Sequence, residues 1–376
     1  MNVVIMVSSG YPHYWSANNT KGEFIARGLK ANGCYVTMLD SIFGTKGFDE
    51  PEEGVSATGI DYYIIPRKGK WLSWFFAIPY IWNFLKSHRK KDDKNHIVLG
   101  LTQYPFFFII LIMAFLLGYR RSVLFHEWHC SLNKPMVSRM EGFIRDVTFG
   151  YFVNVVFPIS HFLKEKSLHF HRRMMIVPVM ASFENDYGKK EIRNHFAYCC
   201  GAPYLLRNTL VLDAFKLLKK QSHNDELKLE LVLNGNDGQL NAVKNLVDNY
   251  GMKDSIIIRN QIPQEELTDI YESAIGLLIP MDPQSIQDKA RFSQKIAEYV
   301  STQRPIITSN VGEIPYYFDD NQSAMIVPYS VEGYFKGMKV LFDDKQIADY
   351  IGHRGYMVGK NCFNYIEITR EMMNYL

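Results

Sequence analysis

Short, continuous apolar runs recur along this chain at helix-length intervals, and that spacing limits its fold more than any other feature. In the first half the runs are Val3–Ser9, Tyr35–Leu39, Tyr62–Ile65, Ile97–Leu101, Val123–His126 and Val153–Ile159. After about Pro178 the pattern starts again: Phe196–Gly201, Glu230–Asn234, Ile256–Arg259, Gly276–Ile279, Ile306–Ser309 and Met325–Val327. A strand that is apolar on both sides needs cover on both faces, so such runs, alternating with helices, predict parallel sheets between helical layers. Two sets predict two Rossmann-like α/β domains, over 1–178 and 179–360, with ligands in the cleft at the strands' C-terminal ends. The last stretch, Asn361–Leu376, is expected to be helical. A chain of 376 residues is too long for one ordinary core and suits two such domains.

Composition narrows the function classes. The chain is 47% hydrophobic and 22% charged, with mean hydropathy −0.14, as in a soluble globular protein. A net charge of +3 is too small to argue for nucleic acid. Met1–Val7 has the composition of a core strand, without a basic start or a cleavage site, so no signal peptide is expected. The five cysteines are odd in number and fit a reducing cytoplasm better than a disulfide framework.

Chemistry concentrates in Arg291–Phe318. A helix is expected to open at Phe292 or Ser293, followed by a buried strand over Pro305–Thr308. Ile296, Tyr299 and Val300 form the helix's apolar stripe, while Lys295 and Glu298, three apart, share another face. Free N–H groups at the helix start and the Lys295 ammonium suit a diphosphate, and Glu298 suits two ribose hydroxyls. The same spacing also fits a solvated ion pair worth about 0.2–0.5 kcal/mol, so spacing alone leaves both readings open.

Taken together, Lys295, Glu298, Tyr299, Pro305-Ile306-Ile307 and Val311-Gly312-Glu313 resemble the donor-binding segment of the family 4 glycosyltransferases. That resemblance implies the GT-B fold, a nucleotide-diphosphate sugar as co-substrate, retention of anomeric configuration, and no metal or other cofactor. It also implies an acceptor domain first, a donor domain second, and a C-terminal helix crossing back to the first. Gly201 and Arg207 match the family's phosphate-gripping segment in position, whereas Ala202 and Asn208 replace its first basic residue and its glycine. The resemblance makes Arg207, Lys295 and the helix opening near Ser293 the groups that hold the leaving diphosphate, and Glu298 the ribose ligand. Asn236 replaces the second glycine of a Gly-x-Gly turn, tolerable because Asn accepts left-handed backbone angles. Glu265 and Glu266 match a helix start and take a capping and dipole role. His126, followed by Glu127, matches a histidine beside the transferred sugar, and Gly22 matches a glycine in a loop near the donor phosphates. The family motif has two glutamates separated by seven residues. Here Ala290 stands where the first is expected, with Asp288 as the nearest substitute.

Two further stretches invite other readings. His126-Glu127-Trp128-His129-Cys130 tempts a zinc assignment, but its histidines are three apart and do not form a His-Glu-x-x-His motif, so no metal is expected. Trp71–Leu85 is densely aromatic and runs into the basic Lys86–Lys91. It suits either an interface with anionic lipid, with Trp74, Phe75 and Trp82 as anchors and Arg89, Lys90 and Lys91 as charge, or a packed helix with a wet end. Tyr104–Leu117 is too short to span a bilayer, which needs about 20 residues. His161–Arg173 adds further basic charge. The resulting expectation is a cytoplasmic glycosyltransferase at the inner face of a membrane, acting on a lipid-linked saccharide in cell-envelope polysaccharide synthesis such as lipopolysaccharide or capsule. A sugar-nucleotide epimerase of the same architecture and a non-catalytic partner subunit are the alternatives.

Overall fold

The computed structural model describes residues 1–7, 10–13, 16–40, 50–66, 73–100, 106–130, 136–184 and 190–376. Its first half runs β1 (Asn2–Val7), α1 (Ala17–Ala31), β2 (Tyr35–Asp40), β3 (Glu52–Val55), β4 (Asp61–Ile64), α2 (Ser73–His88), β5 (Asn95–Gly100) and α3 (Phe106–Leu116). It continues with β6 (Arg120–Phe125), α4 (Met136–Thr148), β7 (Val155–Pro158), α5 (His161–Ser167) and β8 (Arg173–Met174). Next come β9 (His195–Gly201), α6 (Ala202–Arg207), α7 (Leu210–Ser222), β10 (Lys228–Asn234), α8 (Asp237–Asn249), β11 (Ile256–Asn260), α9 (Gln264–Glu272) and β12 (Gly276–Ile279). The chain closes with α10 (Ile286–Ala290), α11 (Gln294–Ser301), β13 (Ile306–Thr308), α12 (Ile314–Tyr317), β14 (Met325–Ile326), α13 (Val331–Asp343), α14 (Lys345–Cys362) and α15 (Tyr365–Met373).

The chain divides into two compact units. Unit 1 comprises Met1–Met180, Lys289–Gln294 and Asn364–Leu376, and unit 2 comprises Ala181–Asp288 and Lys295–Phe363. The sheet of unit 1 is ordered β3-β4-β2-β1-β5-β6-β7-β8. Its central strands are buried along their whole length, as the apolar runs require. One departure from the expected parallel sheet is β3, which pairs antiparallel with β4 at the edge. Glu52–Val55 alternates between half-buried and exposed positions, so it leaves no apolar run to detect. The predicted strand ends Ser8, Ser9 and Leu101, and also Trp71, lie outside the described residues.

α15 completes unit 1 by docking on α1. The Asn32 side-chain amide donates to the Ile366 carbonyl at 3.0 Å and to Thr369 Oγ1 at 3.2 Å, and the Arg27 guanidinium lies 4.9 Å from the Tyr365 ring centre. Ile368 and Met372 join Ile25 and Leu29 in the core. The sheet of unit 2, ordered β11-β10-β9-β12-β13-β14, is parallel throughout. Its winding reverses between β9 and β12, the place in such sheets where ligands find a crevice beyond the strand ends.

Candidate active site

The residues beyond β9 and β12 are set by packing. Ile296, Ala297, Tyr299 and Val300 bury one face of α11. The Tyr299 hydroxyl accepts the Cys199 N–H at 3.1 Å, which ties α11 to β9, and its ring meets Tyr271 edge-on at 4.7 Å. Lys295 and Glu298 therefore fall on the remaining face, both half-buried. Both lie close enough to Cys199 for their charges to act on its thiol. No described residue donates a hydrogen bond to the Glu298 carboxylate, and the Lys295 ammonium has no ion pair among the described residues. Burial raises the pKa of Glu298 and the Lys295 charge partly offsets that rise. A carboxylate and an ammonium drawn partly out of water, with open bonding capacity, can take hydroxyls and phosphate oxygens from a ligand. Helix α11 begins at Gln294, so Ser293 stands immediately before it.

The stretch after β9 is the short helix α6. Gly201 is its N-cap, with φ −74°, and a Cβ there would lie 3.8 Å from Pro203 Cδ, so packing alone does not demand glycine. Ala202 is fully buried, and a Cβ on Gly235 would come within 2.8 Å of the Ala202 Cβ. Position 202 thus faces a tight helix–turn contact with no room for the cation that the family resemblance places there. Arg207 is exposed at the far end of α6, and its Nε donates back to the Pro203 carbonyl at 3.1 Å. Asn208, where a glycine is expected, donates from its amide to the Tyr329 hydroxyl at 2.7 Å.

Several local expectations are corrected. Asn236 is extended (φ −80°), not left-handed. Its side chain accepts the Gln239 N–H and Gln239 reciprocates, a capping box that opens α8. Asp288 is buried and accepts the Asp282 N–H at 3.0 Å, so this carboxylate braces its own loop. Ala290 is buried too, within unit 1, where its carbonyl accepts the Ser160 hydroxyl. Gly22 lies inside α1, not in a loop, and a Cβ there would approach Val7 Cγ1 to 2.9 Å. Its observed position is a close contact between α1 and the sheet.

In unit 1 His126 follows β6 directly. Its Nε2 is buried without a hydrogen-bond partner among the described residues. Burial first, then the Lys21 and His129 charges, push its pKa well below the usual histidine value, so the ring is neutral. Two neighbours had no sequence signal. Lys21 is buried in α1, its Nζ donating to the Val177 carbonyl at 2.8 Å, and burial drives its pKa far down. Asp146, on α4, has a fully buried side chain. It accepts the His129 N–H at 2.7 Å, the Cys130 N–H at 3.3 Å and the His129 ring at 2.8 Å, and so clamps the loop that carries His126. Among the described residues no three His, Cys, Asp or Glu side chains are grouped to hold a metal ion.

Residues 207–358 match the family model described as glycosyl transferases group 1. Residues 207–358 thus carry a glycosyl transferases group 1 domain. A search of curated protein sequences returns no match. Among solved structures, the chain resembles sucrose-phosphate synthase from Thermosynechococcus elongatus at TM-score 0.74 and 14% identity, covering 99% of this chain and 97% of that one. It resembles a glycosyltransferase from Rickettsia africae at TM-score 0.70 and 14% identity, covering 100% and 97%. Anabaena HepE, in complex with UDP and glucose, aligns at TM-score 0.73 and 11% identity over 100% and 98% of the two chains. These likenesses establish the GT-B fold of the chain.

Proposed function

We propose that this chain is a glycosyltransferase that moves a sugar from a nucleotide-diphosphate sugar to a saccharide acceptor, with retention of anomeric configuration and without a metal ion. The observation that carries the reading is the Lys295–Glu298 face of α11. It offers a half-buried carboxylate without a donor, beside an ammonium without an acceptor, among the described residues, next to the strand where the sheet reverses. Glu298 would accept the ribose hydroxyls. Lys295, the N-terminal turn of α11 and Arg207 would meet the charge that grows on the leaving diphosphate. His126, neutral and with an open Nε2, would contact the sugar by hydrogen bonding rather than by charge. Uridine nucleotides are the first donors to try, because the HepE structure holds UDP and glucose.

A lipid-linked acceptor of the cell envelope, met at a membrane surface, extends this reading. Its support lies on α4 more than on α2. Met136 and Val137 are 74% and 79% exposed, and Met140, Phe143 and Ile144 continue the same outward stripe. Helix α2 instead turns Ala77, Ile81, Phe84 and Leu85 inward and leaves Phe75 and Phe76 about half exposed. No described helix is long and apolar enough to cross a membrane.

The experiment incubates the purified chain with a panel of sugar nucleotides, with and without saccharide acceptors, in the presence and absence of EDTA. Transfer that needs an acceptor and survives EDTA is expected, and anomeric analysis of the product reads the stereochemistry. Conversion of the nucleotide sugar without an acceptor would point to an epimerase. Activity abolished by EDTA and restored by magnesium or manganese would overturn the metal-free mechanism.

A further inference from the structure

Unit 2 contains a concavity, built where β13 and β14 end. Its volume is about 560 Å³, within the range of small-molecule sites. Pro315, Pro328 and Tyr329 supply apolar faces, while Asn310, Asp319 and Asp320 supply polar groups. The Asp320 carboxylate is held in place: Oδ1 accepts the Ile326 N–H at 2.9 Å and Oδ2 accepts the Asn321 amide at 3.0 Å. The Tyr329 ring is anchored from behind by the Asn208 amide on its hydroxyl. Asn310 and Asp319 are exposed at the rim.

The lining selects the ligand class. Among its described lining residues there is no lysine or arginine, and its two carboxylates repel phosphate, which disfavours a nucleotide. A purely apolar ligand would strip water from Asp319 and Asp320 without replacing their hydrogen bonds, which is costly. A sugar satisfies both demands, because its C–H faces lie on proline and aromatic rings while its hydroxyls donate to carboxylates and exchange bonds with an amide. We propose that this concavity binds a neutral saccharide, in addition to any sugar held at the Lys295–Glu298 face. The inference rests on the shape and lining of the concavity and not on the identity of the donor.

Saturation-transfer NMR on the full chain with glucose, N-acetylglucosamine and maltose, with UDP and spermidine as controls, tests it. Asn310→Trp fills the rim and Asp319→Ala removes a hydroxyl acceptor, both at exposed positions where folding is easily checked by circular dichroism. At least one sugar is expected to bind the parent chain, and both variants should weaken that sugar by about tenfold or more while UDP affinity by calorimetry stays unchanged. Absence of transfer from every sugar, sugar binding indifferent to both variants, or spermidine displacing the sugar would each overturn the assignment. Loss of UDP binding in the parent chain would instead count against the donor reading and leave the saccharide result to stand by itself.

Discussion

At the level of single residues, the pairing of Lys295 with Glu298 was legible because both lie within one helix, where a spacing of three decides which side chains share a face. Asp146 was not legible, since its partners are two backbone amides and a ring from a loop that no periodicity connects to α4. Ala202 was visible only as a departure, and its reason, the contact with Gly235, needed the fold. The Glu298 carboxyl supplies the sharpest test. Charged hydrogen bonds contribute about 1.5–3 kcal/mol each, so Glu298→Ala should weaken nucleoside diphosphate binding by at least that range. Burial raises the pKa of this carboxyl, so it takes up a proton at a higher pH than a free glutamate with its value near 4.5. The ionised form is the better hydroxyl acceptor. Affinity should therefore fall as pH drops through the raised value, and Glu298→Gln should flatten the profile. Calorimetry across a pH series reads both effects, and a profile unchanged by Glu298→Gln would remove the residue from the site.

Among elements, long buried strands announced themselves and short edge strands did not. β3 and β8 carry too few apolar residues to rise above their surroundings. Helix α6 is only six residues long, too short for a period to show, and Pro203 lies in its first turn, where a missing N–H costs nothing. Helix α4 shows an inverted arrangement whose cause is now plain. Its fully buried positions are Gly142 and Asp146, four apart, and they face the His129 loop. Its apolar residues are left to point outward. Such a stripe on a helix with Arg139 and Arg145 nearby suits a lipid interface. The double change Val137→Gln and Phe143→Gln should cut sedimentation with anionic vesicles severalfold and leave thermal stability nearly unchanged. Removing Arg89, Lys90 and Lys91 should matter less, despite the prominence of that run in the sequence. If the basic run governs vesicle binding and the α4 stripe does not, the surface has been misplaced.

For the molecule as a whole, the two-sheet architecture was written into the restart of the strand pattern after Pro178, whereas membership of Lys289–Gln294 in unit 1 was not. A segment of that length makes its contacts through a backbone carbonyl and a glutamine amide, which no pattern encodes. Acid stability follows from buried neutral histidines. His96 is buried in β5 with Nε2 unpartnered among the described residues, and burial, aided by Arg120 and Lys94, pushes its pKa from 6.5 down to about 4. His126 is shifted the same way. The unfolded chain binds these protons first, so the stability contribution is fully present above about pH 6.5 and is lost as pH falls through about 4, with up to about 3 kcal/mol at stake for His96. Urea midpoints at pH 7.5 and 4.5 should diverge for the parent chain and diverge less for His96→Gln, because His126 keeps its share. Equal pH sensitivity in the two would assign the proton uptake elsewhere.

The docking of α15 on α1 has a consequence for synthesis. Unit 1 needs Asn364–Leu376, which are synthesised only after unit 2 has ended at Phe363. At about 5–20 residues per second, α15 arrives roughly ten to forty seconds after Met180. Through that interval the α1 surface around Ile25 and Leu29 has no partner, and the domain begun first is finished second.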